Sequence, residues 1–277
     1  MSLDLPLSDL PATEGVLHYL APSSEKLVSY TFKPPAGVPS RPRTEPHTVP
    51  IRDARKLVHA AELDREGFAL VSHATRVRDF LDPAQITGIY YPDLESLLRT
   101  ATGAEKVVIF DYTLRSAADA RERGVREPVR FVHNDYTVKS GPRLVGDHLP
   151  ALEAERRRHG RHAVVNVWRP IRNPVVATPL AVCDARTIRG EDWAATDLVY
   201  PGRVGEVYSV RFNPAHRWFY YSGLRRDEAL LIKTYDSLED GTARFSAHSA
   251  FDDPATPAGA PPRESIEVRA LLLYPGG

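Results

Sequence analysis

From His162 to Tyr274 the chain is written as one short strand after another, and no other feature constrains its fold as much. The runs 162–171, 179–188, 206–212, 217–221, 229–235, 243–251 and 265–274 are separated by Pro, Gly and Asp. Short strands at this spacing predict a sandwich or barrel. Two more strands are predicted at 67–71 and 106–112, and helices at 76–81, 93–100 and 150–159. The helices precede the main run of strands and do not alternate with it, which disfavours a doubly wound parallel sheet. The first fifty or so residues, rich in Pro and Ser, read as an extended arm. The expected organisation is a single domain over 1–277: an arm to 60, a helical flank with the first core strands over 61–160, and a β core over 161–277.

Composition narrows the function. Lys plus Arg number 36 and Asp plus Glu 36, mixed along the chain, which argues against a dedicated nucleic-acid surface. The run Glu155-Arg156-Arg157-Arg158 reads as the wet face of a helix. The single cysteine, Cys183, excludes an internal disulfide framework and a Cys-rich zinc site, and fits a reducing cytoplasm. No basic segment followed by an apolar stretch opens the chain, and no apolar run approaches a membrane span. Glycine loops that cradle phosphates are absent, as is a Gly-x-Ser-x-Gly nucleophile elbow. The expected partner is a small molecule, without nucleic acid or membrane; a homo-oligomer or a partner subunit is left open.

The candidate chemistry starts at His133-Asn134-Asp135. If 129–137 is a strand, His133 and Asp135 share a face. An imidazole beside a carboxylate is two-thirds of the two-His-one-carboxylate set that holds non-haem Fe(II). With ten His among 277 residues, one His-x-acid unit is close to chance, and a structural pair is the alternative. A third ligand must come from another strand, and both His216 and His248 qualify. After His248 comes a strand with Arg263, Ser265, Glu267 and Arg269 on one face. A guanidinium and a hydroxyl two residues apart can hold a carboxylate together. Asn166, Trp168 and Arg169, on the 162–171 strand, are candidates to face the substrate.

The segments 133–137, Asn166-Val167-Trp168-Arg169-Pro170, 179–186, 216–221, 226–237, His248-Ser249-Ala250-Phe251 and 262–269 together resemble the cephalosporin 7α-methoxylase subunit and gibberellin-desaturase-like family. The similarity runs in order from about Tyr90 to the C-terminus. It implies a mainly β fold with flanking helices and a double-stranded β-helix (jelly-roll, cupin-like) core. It also implies an oxygenase dependent on Fe(II), 2-oxoglutarate and O2, a hydroxylase or desaturase of secondary metabolites. By the resemblance, His133, Asp135 and His248 would be the catalytic iron ligands. Arg263 would clamp 2-oxoglutarate with Ser265 assisting, and Arg269 is the rival clamp. The alternatives are a cupin-like metal oxygenase that does not use 2-oxoglutarate, and a non-catalytic accessory subunit of a tailoring enzyme.

Overall fold

In the computed structural model, which describes residues 10–57, 59–117 and 125–276, the strands are sorted into two sheets. In chain order they are β1 (Ala12–Leu20), β2 (Val28–Tyr30), β3 (Thr44–Asp53), β4 (Phe68–Ser72), β5 (Lys106–Ser116), β6 (His133–Asn134) and β7 (His162–Pro170). Then follow β8 (Leu180–Cys183), β9 (Trp193–Tyr200), β10 (Arg203–Val210), β11 (Trp218–Tyr220), β12 (Glu228–Asp236), β13 (His248–Ala250) and β14 (Glu264–Leu273). The helices are α1 (Pro83–Gln85), which runs through a π turn at Ile86–Tyr90 into α2 (Tyr91–Thr102), then α3 (Ser140–His148) and α4 (Ala151–Arg157). One sheet has the order β4-β12-β7-β14-β5, and the other β1-β3-β11-β8-β13-β6-β10-β9-β2.

Strand periodicity divides the core. On β7 and β14, Val165, Val167, Ile266 and Val268 pack beneath Leu94 and Leu98 of α2. The alternate residues of the same strands point toward the other sheet. There Trp168, Leu230 and Ile232 meet Val182 and Phe219. The nine-stranded sheet carries its own cluster, with Val132 and Ala247 packed beside Trp218 and Tyr19. Because Val132 and Ala247 turn that way, their neighbours His133 and His248 turn inward, between the sheets.

Five expectations on the elements are corrected. The arm contains β1 and β3, which pair antiparallel over nine residues and belong to the large sheet; residues 1–9 lie outside the described residues. Pro46 and Pro50 disguise β3, but β3 pairs with β11 only at Ile51–Asp53, so both prolines sit on a stretch with a free edge. Residues 76–81 are not helical. Asp79 accepts from the Leu81 N–H and Gln85 from those of Arg78 and Asp79, which builds turns instead. The helix starts only at Pro83, capped by Asp82. The strand expected over 129–137 is reduced to His133–Asn134. The strands at 179–188 and 243–251 are likewise short, while α3 and β9 were not expected.

The turn into α3 fixes the backbone that follows Asp135. Thr137 and Ser140 exchange side-chain and backbone hydrogen bonds at 2.9 and 3.1 Å, and Gly141 presses its backbone against the Tyr235 ring. A β-carbon at Gly141 would overlap that ring. Gly141→Ala is therefore expected to destabilise by about 1–3 kcal/mol, seen as a lower urea midpoint at unchanged m-value.

Candidate metal centre

His133 and His248 are directly opposed in the β6–β13 ladder, with ring centroids 4.4 Å apart. Each ring bonds through Nδ1 to the carbonyl two residues back, Phe131 at 2.9 Å and Ser246 at 3.2 Å. A carbonyl only accepts, so Nδ1 carries the proton and Nε2 keeps its lone pair for a metal. His133 Nε2 lies 3.7 Å from Oδ1 of Asp135. One ligand atom from each of His133, Asp135 and His248 falls within a 4.8 Å cluster. Burial, and then the neighbouring His248, push the His133 pKa down to about 4, so its ring is neutral near pH 7.

Asp135 lies one residue past β6, at a bend, so strand alternation alone does not aim it. Asn134 holds the bend: its side-chain amide donates to the carbonyls of Tyr136 at 2.7 Å and Thr234 at 2.8 Å. The other carboxylate oxygen, Oδ2, accepts from Asn166 Nδ2 and Arg269 Nε, both at 2.8 Å. Burial opposes ionisation of Asp135. Arg269 and then the two histidines outweigh it and hold the carboxyl well below the usual carboxylate range.

Sheet register explains the facing wall. On β14, Arg269 lies between Asp111 and Asn166, Glu267 between Thr113 and Trp168, and Ser265 between Arg115 and Pro170. Every nitrogen of the Arg269 guanidinium is engaged. It bonds Asp135, Asp111 at 3.1 Å and Glu267 at 3.0 Å, three carboxylates that already offset its charge. Arg263 is the opposite case. It is 3% exposed and stands over the Trp168 ring, and its Nη1 donates to the Thr178 carbonyl at 2.9 Å. Its Nε has no partner, nor has the buried hydroxyl of Ser265. Among the described residues, Thr178 is the one non-glycine with positive φ, 51°. That strained backbone is what aims its carbonyl at the guanidinium. Arg263, Trp168, Leu180 and Glu267 line one narrow cleft with His133 and His248.

Two of the expected substrate residues are elsewhere. Arg169 is fully buried on the opposite face of β7, bonded to His73 at 2.6 Å and packed on Tyr90. Strand alternation requires this once Trp168 faces the cleft. Asn166 serves Asp135 and, at 3.0 Å, Glu267. His216 is far from the centre in bonding terms: Tyr19 and Asp192 each engage one of its ring nitrogens at 3.1 Å. Asn134, Glu267 and Arg115 were missed as site residues. The alternation Asp111-Tyr112-Thr113-Leu114-Arg115 was the available signal for the last.

The donor set fits Fe(II): two imidazoles, each with Nδ1 turned to a carbonyl, and one carboxylate. A guanidinium with no paired carboxylate among the described residues and the unpartnered hydroxyl beside it fit an organic acid reaching that metal. Arg269→Gln, which loosens Asp135, is expected to weaken Fe(II) binding about 10–100-fold in the absence of any organic acid, with partial recovery in Arg269→Lys; anaerobic dialysis with metal analysis reads this out.

The family description "Oxidoreductase/YMDC permease-like domain" matches residues 17–273. No helix among the described residues is long and apolar enough to cross a membrane. The chain is 36% identical to the hydroxylase/desaturase CTB9 of Cercospora beticola, over 84% of this chain and 78% of that protein. It is 36% identical to the Fe(II)/2-oxoglutarate-dependent dioxygenase nvfI of Aspergillus novofumigatus, over 82% of this chain and 84% of that one. A solved structure of the iron and α-ketoglutarate-dependent endoperoxidase NvfI superposes with a TM-score of 0.85 at 31% identity, covering 95% of this chain and 98% of that one.

Proposed function

Because the chain belongs to the Fe(II)- and 2-oxoglutarate-dependent hydroxylase/desaturase family, we propose that it oxidises a C–H bond of a small secondary metabolite, with Fe(II) on His133, Asp135 and His248 and 2-oxoglutarate on Arg263 and Ser265. One observation carries this reading. The two histidines of a His/Asp/His cluster share their cleft with a buried guanidinium that has no paired carboxylate among the described residues, and an unpartnered hydroxyl lies two residues further along the chain.

Bound there, Fe(II) and 2-oxoglutarate together activate O2 to attack an unreactive C–H bond, with release of succinate and CO2. The chain's own residues do the rest. The Phe131 and Ser246 carbonyls fix both imidazoles so that Nε2 points at the metal position. Arg269 and Asn166 keep Asp135 charged and leave Oδ1 free to bind. Arg263 offers the distal carboxylate of 2-oxoglutarate a charge-assisted bond in a partly dry cleft. Trp168, Leu180 and Val129 give the cleft apolar walls that limit water near the reacting centre. A reducing cytoplasm would keep both the iron and the Cys183 thiol in the required state.

The test is product formation. Protein supplied with Fe(II), 2-oxoglutarate and air is expected to form succinate slowly, and faster when its metabolite is added. Loss of succinate on omitting Fe(II) is part of the expectation. Succinate no higher than in a protein-free control, across a panel of metabolites, would count against the reading. A metal oxygenase that ignores 2-oxoglutarate would leave Arg263 and Ser265 without a purpose.

A further inference from the structure

The wall that carries Arg263 holds a second guanidinium that the proposed function does not use. Arg115 on β5 lies directly opposite Ser265 on β14. Directly opposed residues of antiparallel strands share a face, with their β-carbons roughly 5 Å apart. Arg115 lines the same cleft as His133, His248 and Arg263. Among the described residues its one side-chain hydrogen bond runs from Nη1 to the Glu127 carbonyl at 2.9 Å, and it forms no ion pair.

The two ends of this wall differ in charge balance. Around Arg269, three carboxylates surround one guanidinium. Around Ser265, two guanidiniums have no paired carboxylate among the described residues. Glu267 attracts both guanidiniums through space but bonds neither: its hydrogen bonds among the described residues come from Asn166 and Arg269. Burial, and then the charge of Arg115, push the Arg263 pKa down to about 9. Two like charges beside an unpartnered hydroxyl in a partly dry cleft call for an anion between them.

We propose that Arg115 is a second anchor for the distal carboxylate of 2-oxoglutarate, closing on it with Arg263 and Ser265. This rests on the co-substrate reading above. A carboxylate has about four lone-pair sites, enough for two guanidiniums and a hydroxyl. The register explains why the three donors converge: Arg263, one residue before β14, prolongs the pairing by accepting from the Ala117 N–H and lies two residues from Ser265, and Arg115 stands across from Ser265.

The experiment is an anaerobic titration of Fe(II)-loaded protein, following the absorption band of the iron–keto acid chelate. Two probes are compared: 2-oxoglutarate, and 2-oxopentanoate, which keeps the keto-acid end and lacks the distal carboxylate. Arg115→Gln is expected to raise the Kd for 2-oxoglutarate about tenfold or more and to leave that for 2-oxopentanoate and for Fe(II) alone unchanged. Arg115→Lys keeps the charge without the fork, and its loss should be smaller and again confined to 2-oxoglutarate. Equal binding of 2-oxoglutarate by wild type and both variants, or an equal loss for both probes, would overturn the proposal. If Arg263→Gln also bound 2-oxoglutarate undiminished, the co-substrate reading itself would fall.

Discussion

His248→Ala is expected to abolish Fe(II) binding at micromolar metal, a loss of at least about 100-fold, since removal of a mere outer-shell partner already costs 10–100-fold. The argument is geometric. His248 faces His133 across a ladder rung, and its Nε2 is the ring nitrogen left after Nδ1 binds the Ser246 carbonyl. With two ligands remaining, the metal would keep only His133 and Asp135. Succinate formation should vanish with the iron. His216→Ala is the control that separates the two histidines left open by the sequence. It strips partners from buried Tyr19 and Asp192, so it should lower stability while leaving Fe(II) affinity intact. The reverse pattern, iron lost with His216 and kept without His248, would refute the ligand assignment. Anaerobic dialysis and a thermal melt distinguish these outcomes.

The second large effect concerns Arg263. Arg263→Gln should raise the Kd for 2-oxoglutarate roughly 100-fold, from loss of charge-assisted, forked bonds worth a few kcal/mol. Its consequence for stability has the opposite sign to most core substitutions. Arg263 is almost fully buried, with an unpartnered Nε and no carboxylate paired to it among the described residues. The folded protein without co-substrate therefore carries an uncompensated charge, which is unfavourable. Arg263→Met should melt no lower than wild type when 2-oxoglutarate is absent. Added 2-oxoglutarate should raise the melting temperature of the Fe(II)-loaded wild type by mass action, and fail to raise that of the variant. A variant that still responds to 2-oxoglutarate would show that the carboxylate sits elsewhere.

Sequence patterns conveyed the fold class because strand alternation is local. The run from β7 to β14 carries it in hydrophobic and β-branched residues, and His133 and His248 are brought together by one ladder contact. Alternation also misled. Trp168 and Arg169 are adjacent, so both could not face one cleft, and Arg169 went to the other side. Arg263, just before β14, and Arg269 within it lie at even spacing, and the sequence favoured Arg263 with Arg269 as a close rival. What separates them is three carboxylates around Arg269 and none paired with Arg263, and two of those three come from distant segments. Asp135 reached the cluster by a bend pinned by Asn134, not by the strand that was expected there. The N-terminal strands were hidden because prolines are tolerated on an edge whose free side is visible only in the sheet.

The most direct test of the iron and co-substrate assignment is a stepwise anaerobic titration of the wild-type protein, first with Fe(II) and then with 2-oxoglutarate. The predicted result is one tightly held Fe(II) per chain, followed by a visible chelate band that saturates at one 2-oxoglutarate per iron and is absent from His133→Ala and His248→Ala. A band of equal strength in those two variants, or none in the wild type, would contradict it.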